Sequence, residues 1–191
     1  MKDIILVGGG GHCRSCIEVI ESTQKYKING ILDLIDKHGE KVLNYEIIGN
    51  DNDIEKFKND FCFLITIGFI KHPNNRLQVF DLLKRHGTYL ETIISPYAIV
   101  SPYAKIGKGS IIMHHAIVNA GAVIGENCII NTKALVEHDS VVDDNVHIST
   151  GAILNGGVRV GSNSFIGSGA IIVQNTYIQM GAFIKANSLT Y

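Results

Sequence analysis

Every sixth residue from Ile94 to Ile184 is Ile, Val or Leu, and the register never slips. A second column follows four residues after each, from Ala98, Ala104 and Ser110 to Ser188, and is almost entirely small. A helix would repeat every three to four residues and a plain strand every two, so neither accounts for a period of six. A short strand, a corner and another short strand does. The large side chain then fills the inside of a coil, and the small one sits where the backbone turns inward. Three such units close one triangular turn of about 18 residues, the signature of a parallel β-solenoid. Corner positions held by Gly107, Gly109, Gly121, Gly125, Asn127, Asn145, Gly161 and Asn163 are expected to need positive φ.

Before residue 88 the pattern changes. Lys2 to Val7 is an apolar run that reads as a buried strand, and Gly8 to Gly11 follow it. Cys13, Cys16, Ile17 and Ile20 then fall at helical spacing through Ser22. Strand, glycine turn and helix together offer backbone amides to a phosphate at a helix N-terminus. The dinucleotide fingerprint is incomplete, because Cys13 stands where its third glycine would be. Asn29 to Leu34 predicts a second strand that ends at Asp33, which could face a ribose or base or could cap a turn. Glu46 to Ile48 reads as a short strand. A short helix through Phe57 is expected to be capped by Asp51 or Asn52, and Phe61 to Ile67 reads as a buried strand before Gly68. Asn74 to His86 is an amphipathic helix with Leu77, Phe80, Leu82 and Leu83 apolar and Gly87 as its cap. Alternating strands and helices predict an α/β domain over 1–90 with a mostly parallel sheet, followed by an all-β domain over 91–191.

Composition narrows the function. Of the 191 residues 46% are hydrophobic and 18% charged, and the net charge is -1. That is a globular chain with no field to recruit nucleic acid, and no basic aromatic surface suggests such a partner. No apolar run is long enough to span a bilayer. Met1-Lys2-Asp3 leads straight into a strand, so no signal peptide is expected and the reading is cytoplasmic. Four scattered cysteines suggest free thiols, with Cys13 and Cys16 read as small buried helix residues rather than a redox pair. The histidines and cysteines lack metal-ligand spacing, so no metal is expected. Among the histidines, His38, His72 and His86 read as solvated, and His114 and His115 as structural, at a subunit seam. His138 follows Val136 by two residues, a slot that should face outward, between Glu137 and Asp139. From the residues alone it could be surface or catalytic.

The segments GGGGH at 8–12, GILD at 30–33, TIG at 66–68, ISPYAIVSPYAKIGKG at 94–109 and NTKALVEHDSVVDDNVHISTGAILNGGVRVG at 131–161 cover most of the chain. With them the sequence resembles the bacterial left-handed β-helix sugar acetyltransferases that carry an N-terminal Rossmann-like domain. These include UDP-4-amino-sugar N-acetyltransferases and sialic acid O-acetyltransferases. The resemblance implies left-handed winding, a homotrimer, and acetyl-CoA bound between neighbouring prisms with contacts at His147, Gly156, Gly167 and Ser168. It implies nucleotide-sugar contacts at Gly10, Gly11, His12, Asp33, Leu34 and Gly68. It makes His138 the general base, gives its orientation to Asp139, where the family more often has glutamate, and gives oxyanion stabilisation to the Gly156 amide. The tail departs from the family: MGAFIKANSLTY lacks the usual Gly-x-Pro-Ala-Lys segment, and the last coil reads as shortened.

The leading expectation is therefore direct acetyl transfer from acetyl-CoA to the amine of a nucleotide-linked 4-amino-dideoxy sugar. The alternatives are O-acetylation of a sialic-acid-type sugar and, outside enzymes, a non-catalytic trimeric nucleotide-binding solenoid. An ice-binding solenoid is disfavoured, because the outward slots hold no repeated threonine row.

Overall fold

The computed structural model describes residues 1–191 and divides them into two units, Met1–Gly68 with Asn74–Glu91 and Phe69–Pro73 with Thr92–Tyr191. In the first unit, β1 (Lys2–Val7) spans the expected run and buries Ile4 to Val7. Helix α1 (Gly11–Thr23) starts two residues before the apolar pattern does and buries Cys13, Cys16, Ile17, Val19 and Ile20. All four cysteines are free and buried. Burial pushes the Cys13 thiol up to about 11 and the Cys16 thiol upward as well, so both stay protonated and inert.

Strand β2 (Tyr26–Leu32) corrects the expected 29–34. It begins at Tyr26 because pairing with Lys2 extends it through polar residues, and it stops before Asp33. β3 (Lys41–Val42) and β4 (Tyr45–Gly49) form a hairpin whose first half was not foreseen. Its turn holds Leu43 at φ 54, a conformation that leucine does not advertise. The short helix α2 (Ile54–Phe57) follows a 3₁₀ turn capped by Asn50, not by Asp51 or Asn52. Asn50 and Asp53 exchange side-chain to backbone bonds there as a capping box. β5 (Cys62–Ile65) is shorter than expected at both ends. α3 (Asn74–Arg85) buries Arg76, Val79, Phe80 and Leu83, leaving Leu77 and Leu82 half-buried. β6 (Tyr89–Leu90) closes the sheet, whose order is β3-β4-β2-β1-β5-β6, parallel except for β3. The order reverses at β1, so its carboxyl end is the place where such sheets leave a crevice.

The second unit is a parallel β-helix of two-residue strands, from Ile93–Ile94 to Leu189–Thr190. Strands recur on three faces. The first face contains Ile111–Ile112, Ile129–Ile130 and His147–Ile148, the second Ile117–Val118 and Leu135–Val136, the third Val123–Ile124 and Val141–Val142. Ile111 pairs with Ile129 and Ile129 with His147, so one turn is 18 residues. The aliphatic and small columns meet inside as one core that includes Ile112, Val136, Ile148 and Leu154 with Ala116, Cys128, Ala134 and Ala152. Serines in the small column satisfy themselves inward. Ser110, Ser140 and Ser164 donate from Oγ to the carbonyls of Gly125, Asn155 and Gln179 at 2.7, 3.0 and 3.0 Å. The last coil is short, as expected: Phe183–Ile184 and Leu189–Thr190 still pair with the strands one turn earlier, but the third face ends at Tyr177–Ile178.

The corners correct the sequence reading in part. From Gly109 to Asn187 every sixth residue has φ between 54° and 75°, and Gly109, Gly121, Asn127, Asn145 and Asn163 belong to that series. Gly107, Gly125 and Gly161 do not. They are glycine for space, since a Cβ on any of them would lie closer than 3.0 Å to backbone of the next coil. The two reasons separate experimentally. Gly151→Asn, at φ 65 with open space around it, should leave thermal stability nearly unchanged. Gly125→Asn should cost about 2 kcal/mol or more in chemical denaturation, because the overlap is with backbone that cannot give way.

Candidate functional site

Each corner of the β-helix places two turn residues between strands. At the corner joining the second face to the third, these are His138 and Asp139, followed one turn later by Gly156 and Gly157. The His138 side chain is 59% exposed. Its Nδ1 lies 2.9 Å from Asp139 Oδ2, and its backbone N–H donates to Glu137 Oε2 at 3.1 Å. The carboxylate holds the proton on Nδ1 and leaves Nε2 as the acceptor. The hydrogen bond that His138 donates to Asp139 raises the His138 pKa above its ordinary 6.5, desolvation opposes this, and the charges of Asp139 and Glu137 add to it. Asp139 itself has φ 60, so the orienting carboxylate is also the left-handed corner residue.

The ring lies against Gly156. A Cβ on Gly156 would come within 2.7 Å of Nε2 and 2.8 Å of Cε1, so only glycine leaves the imidazole in place. The Gly156 carbonyl accepts from Asn175 N at 3.0 Å, while its own N–H makes no backbone bond. The structure thus brings together an exposed base, its orienting acid and an amide with no backbone partner. That set can take a proton from a nucleophile and stabilise an oxyanion.

Gly167, Ser168 and His147 lie elsewhere. Gly167 and Ser168 occupy the corner joining the first face to the second, and His147 points outward from the first face. Gly167 is committed at both backbone groups, donating to Ile184 O and accepting from Ala170 N. Ser168 Oγ is 2.9 Å from Ser149 Oγ. The His147 ring is 6% exposed. Its Nδ1 donates to Phe69 O at 2.7 Å, its Nε2 faces Asn131 Nδ2 at 3.0 Å, and it packs edge-on between Phe69 and Phe165. Asn131 was not picked out from the sequence, and nothing in its spacing signals the contact. His114, Nδ1 2.7 Å from Ser95 Oγ and packed on Tyr97, keeps a structural setting, while His38, His72 and His115 are exposed. His86, expected to be solvated, pairs with Glu55 at 2.9 Å.

In the first unit, Gly8 to His12 lie at the carboxyl end of β1, with Gly10 as the cap of α1. Asp33 braces this turn. Its Oδ2 accepts from Gly9 N at 2.7 Å and from Lys37 Nζ at 3.2 Å, and its Oδ1 from Leu34 N at 2.7 Å. Gly68 lies under His12, where a Cβ would approach His12 Cβ to 3.2 Å. Leu34 is exposed. No helix is long and apolar enough to cross a membrane.

Comparison with known proteins bears on both units. Residues 3–83 match the PglD N-terminal domain, and residues 103–138 match the bacterial transferase hexapeptide (six repeats). The UDP-N-acetylbacillosamine N-acetyltransferase of Bacillus subtilis (strain 168) is 35% identical over 121 residues, 59% of this chain. The match spans about half of that relative's length, 52%. The acetyltransferase domain of PglB from Neisseria gonorrhoeae FA1090 superposes with a TM-score of 0.91 at 32% identity, covering 100% of this chain and 92% of that one. The same domain has been solved in complex with acetyl coenzyme A. A histidine-to-asparagine mutant of perosamine N-acetyltransferase from Caulobacter crescentus, in complex with CoA and GDP-perosamine, superposes with a TM-score of 0.92 at 27% identity, covering 100% and 89%.

The dyad has a direct test. NMR titration of the His138 ring should give a pKa above 6.5, and Asp139→Asn should bring it back toward that value. An unchanged midpoint would mean that the carboxylate does not hold the ring in solution.

Proposed function

The chain belongs to the hexapeptide-repeat sugar acetyltransferase family with a PglD-type N-terminal domain, and on that premise we propose that it transfers acetyl from acetyl-CoA to the amine of a nucleotide-linked amino sugar. The substrate we assign is a UDP-4-amino-dideoxy sugar, and the winding we assign to the β-helix is left-handed. The carrying observation is His138, with Nδ1 held by Asp139 and Nε2 poised over Gly156. In the mechanism, Nε2 takes a proton from the sugar amine as its nitrogen attacks the thioester carbonyl. The tetrahedral oxyanion accepts from the Gly156 N–H. The C–S bond then breaks, the CoA thiolate leaves, and the proton on His138 passes to it. Acyl transfer through a cysteine is unsupported, because every cysteine is buried.

The glycine turn, Gly10, Gly11 and His12, with Gly68 and Leu34, is the surface we assign to the nucleotide handle. Asp33 supports it by fixing the Gly9 amide. Acetyl-CoA is assigned to the edge of Gly167 and Ser168. His147, whose ring nitrogens are engaged, would bound that edge by packing. Within one chain the edge of His138 and the edge of Gly167 are separated by the second face. That face points Ile99, Ile117, Leu135, Ile153, Ile171 and Leu189 outward, a continuous aliphatic stripe. Packing this stripe against another copy would bring the two edges together, which supports a homotrimer with sites between protomers. The names of the relatives favour the amine over a hydroxyl as acceptor.

His138→Ala should lower kcat about 100-fold or more in steady-state transfer to a nucleotide amino-sugar panel read by mass spectrometry. A loss under tenfold would remove the base. The activity of the unmodified enzyme should fall on acidification with a midpoint above 6.5, since the neutral ring is the active form and Asp139 raises its pKa. Light scattering should give a trimer, and Ile153→Asp should give monomers that retain their fold but lose at least 100-fold in activity.

A further inference from the structure

Arg76 is the one residue of the first unit whose burial contradicts its chemistry. It is 1% exposed on α3, yet it carries a guanidinium. A buried arginine is retained only where hydrogen bonds repay its desolvation. Here Nη1 donates to Ile65 O and to Ile67 O, each at 2.8 Å. These carbonyls flank Thr66 at the carboxyl end of β5, where the strand leaves the sheet beside the reversal at β1.

What Arg76 holds in turn holds the glycine turn. Thr66 is fully buried, its N–H donates to Val7 O at 2.8 Å, and its Oγ1 lies 2.6 Å from Gly8 O. Gly8 has φ 104, and the side chain of Ile67 fills the space that a Cβ there would need. Gly68 sits against His12. From the other side Asp33 fixes Gly9. The turn from Gly8 to His12 is thus gripped by Thr66, Ile67 and Gly68, and the carbonyls of Ile65 and Ile67 on either side of Thr66 converge on one guanidinium.

We propose that Arg76 is the positioning residue of the nucleotide-sugar site. It pins Thr66 to Gly68 and so presets the amides of the glycine turn for a nucleotide diphosphate. It does not touch the ligand. Both carbonyls are served by Nη1, whose two N–H donors are fixed in the guanidinium plane, whereas a lysine ammonium is a more strongly hydrated rotor on a flexible stem, which is why lysine is a poor substitute. The proposal rests on the reading of the glycine turn as the nucleotide site. Preorganisation of this kind acts on affinity for the handle, not on the acetyl transfer step.

Arg76→Met removes the donors at similar length, and Arg76→Lys keeps a cation with poorer geometry. In Arg76→Met, hydrogen exchange at Gly8 to His12 and Thr66 to Gly68 should quicken at least tenfold, while the β-helix amides stay as in the wild type. UDP and GDP titrations should show affinity at least tenfold weaker, with KM for the nucleotide sugar rising to match. KM for acetyl-CoA should stay within twofold, and kcat at saturation near wild type. Arg76→Lys should fall between, and it carries the same measurements if the Met variant does not fold. Unchanged exchange at the turn in a folded variant overturns the proposal, as does an equal rise in both KM values. If the wild type binds neither nucleoside diphosphate, the nucleotide reading fails, and the exchange experiment still decides whether Arg76 clamps the turn.

Discussion

The second unit depends on one backbone constraint: every corner from Gly109 to Asn187 must place a residue in the left-handed region. L-residues other than glycine pay about 1 kcal/mol or more for this conformation, and asparagine and aspartate are among those that tolerate it best. Twelve of those fourteen corners are Gly, Asn or Asp, but Lys133 and His115 also adopt it, at φ 59 and 60. They do so because the coils above and below impose the turn. A corner then bonds its neighbour one turn away, as when Gly157 N donates to His138 O and Asn127 Nδ2 to Asn145 Oδ1. The column is cooperative in that sense: each coil is a template for the next.

The candidate active site is a use of that constraint. Two adjacent corner residues leave the backbone in fixed and different directions. In most coils they are small or solvated. At 138 and 139 they are an imidazole and a carboxylate, and the forced backbone brings Nδ1 and Oδ2 to 2.9 Å. The next coil supplies glycine at 156, which makes room for the ring and whose N–H has no backbone partner. The dyad is exposed, so its electrostatics are partly screened by water, and its value lies in orientation more than in stored energy. A scaffold this rigid needs no loop to assemble the parts.

In the first unit the constraint is different. Four glycines remove side chains from the turn, and the backbone they free must be held by something else. The holding groups are Asp33, Thr66 and, behind Thr66, Arg76. Two of these are charged and mostly withdrawn from water, which is costly unless each is bonded as these are. The polar atoms near β1 are therefore a frame for the glycine backbone, and Asp33 serves that frame through Gly9 and Leu34.

The repeat was legible because its signal is covalent spacing. A period of six over the C-terminal half admits one packing, and the 18-residue turn, the inward columns and the outward slot of His138 all follow from it. Spacing also revealed β1, α1 and α3, since one-sided burial leaves its period in the sequence. What it could not reveal depends on residues far apart in the chain. Gly107 and Gly125 look like corner glycines until the next coil is seen 18 residues away, pressing on the place of their Cβ atoms. Arg76 sits at 76, 79, 80, 83 spacing with buried residues, a hint that a charged residue belonged to the inner face, but only β5 explains why. β3 is stabilised by its pairing alone. The resemblance marked His147 as a cofactor contact, but that its two nitrogens meet the Phe69 carbonyl and Asn131 depends on segments 78 and 16 residues away. Periodicity records which side of an element is buried; which polar atom meets which is settled only when distant segments are brought into contact.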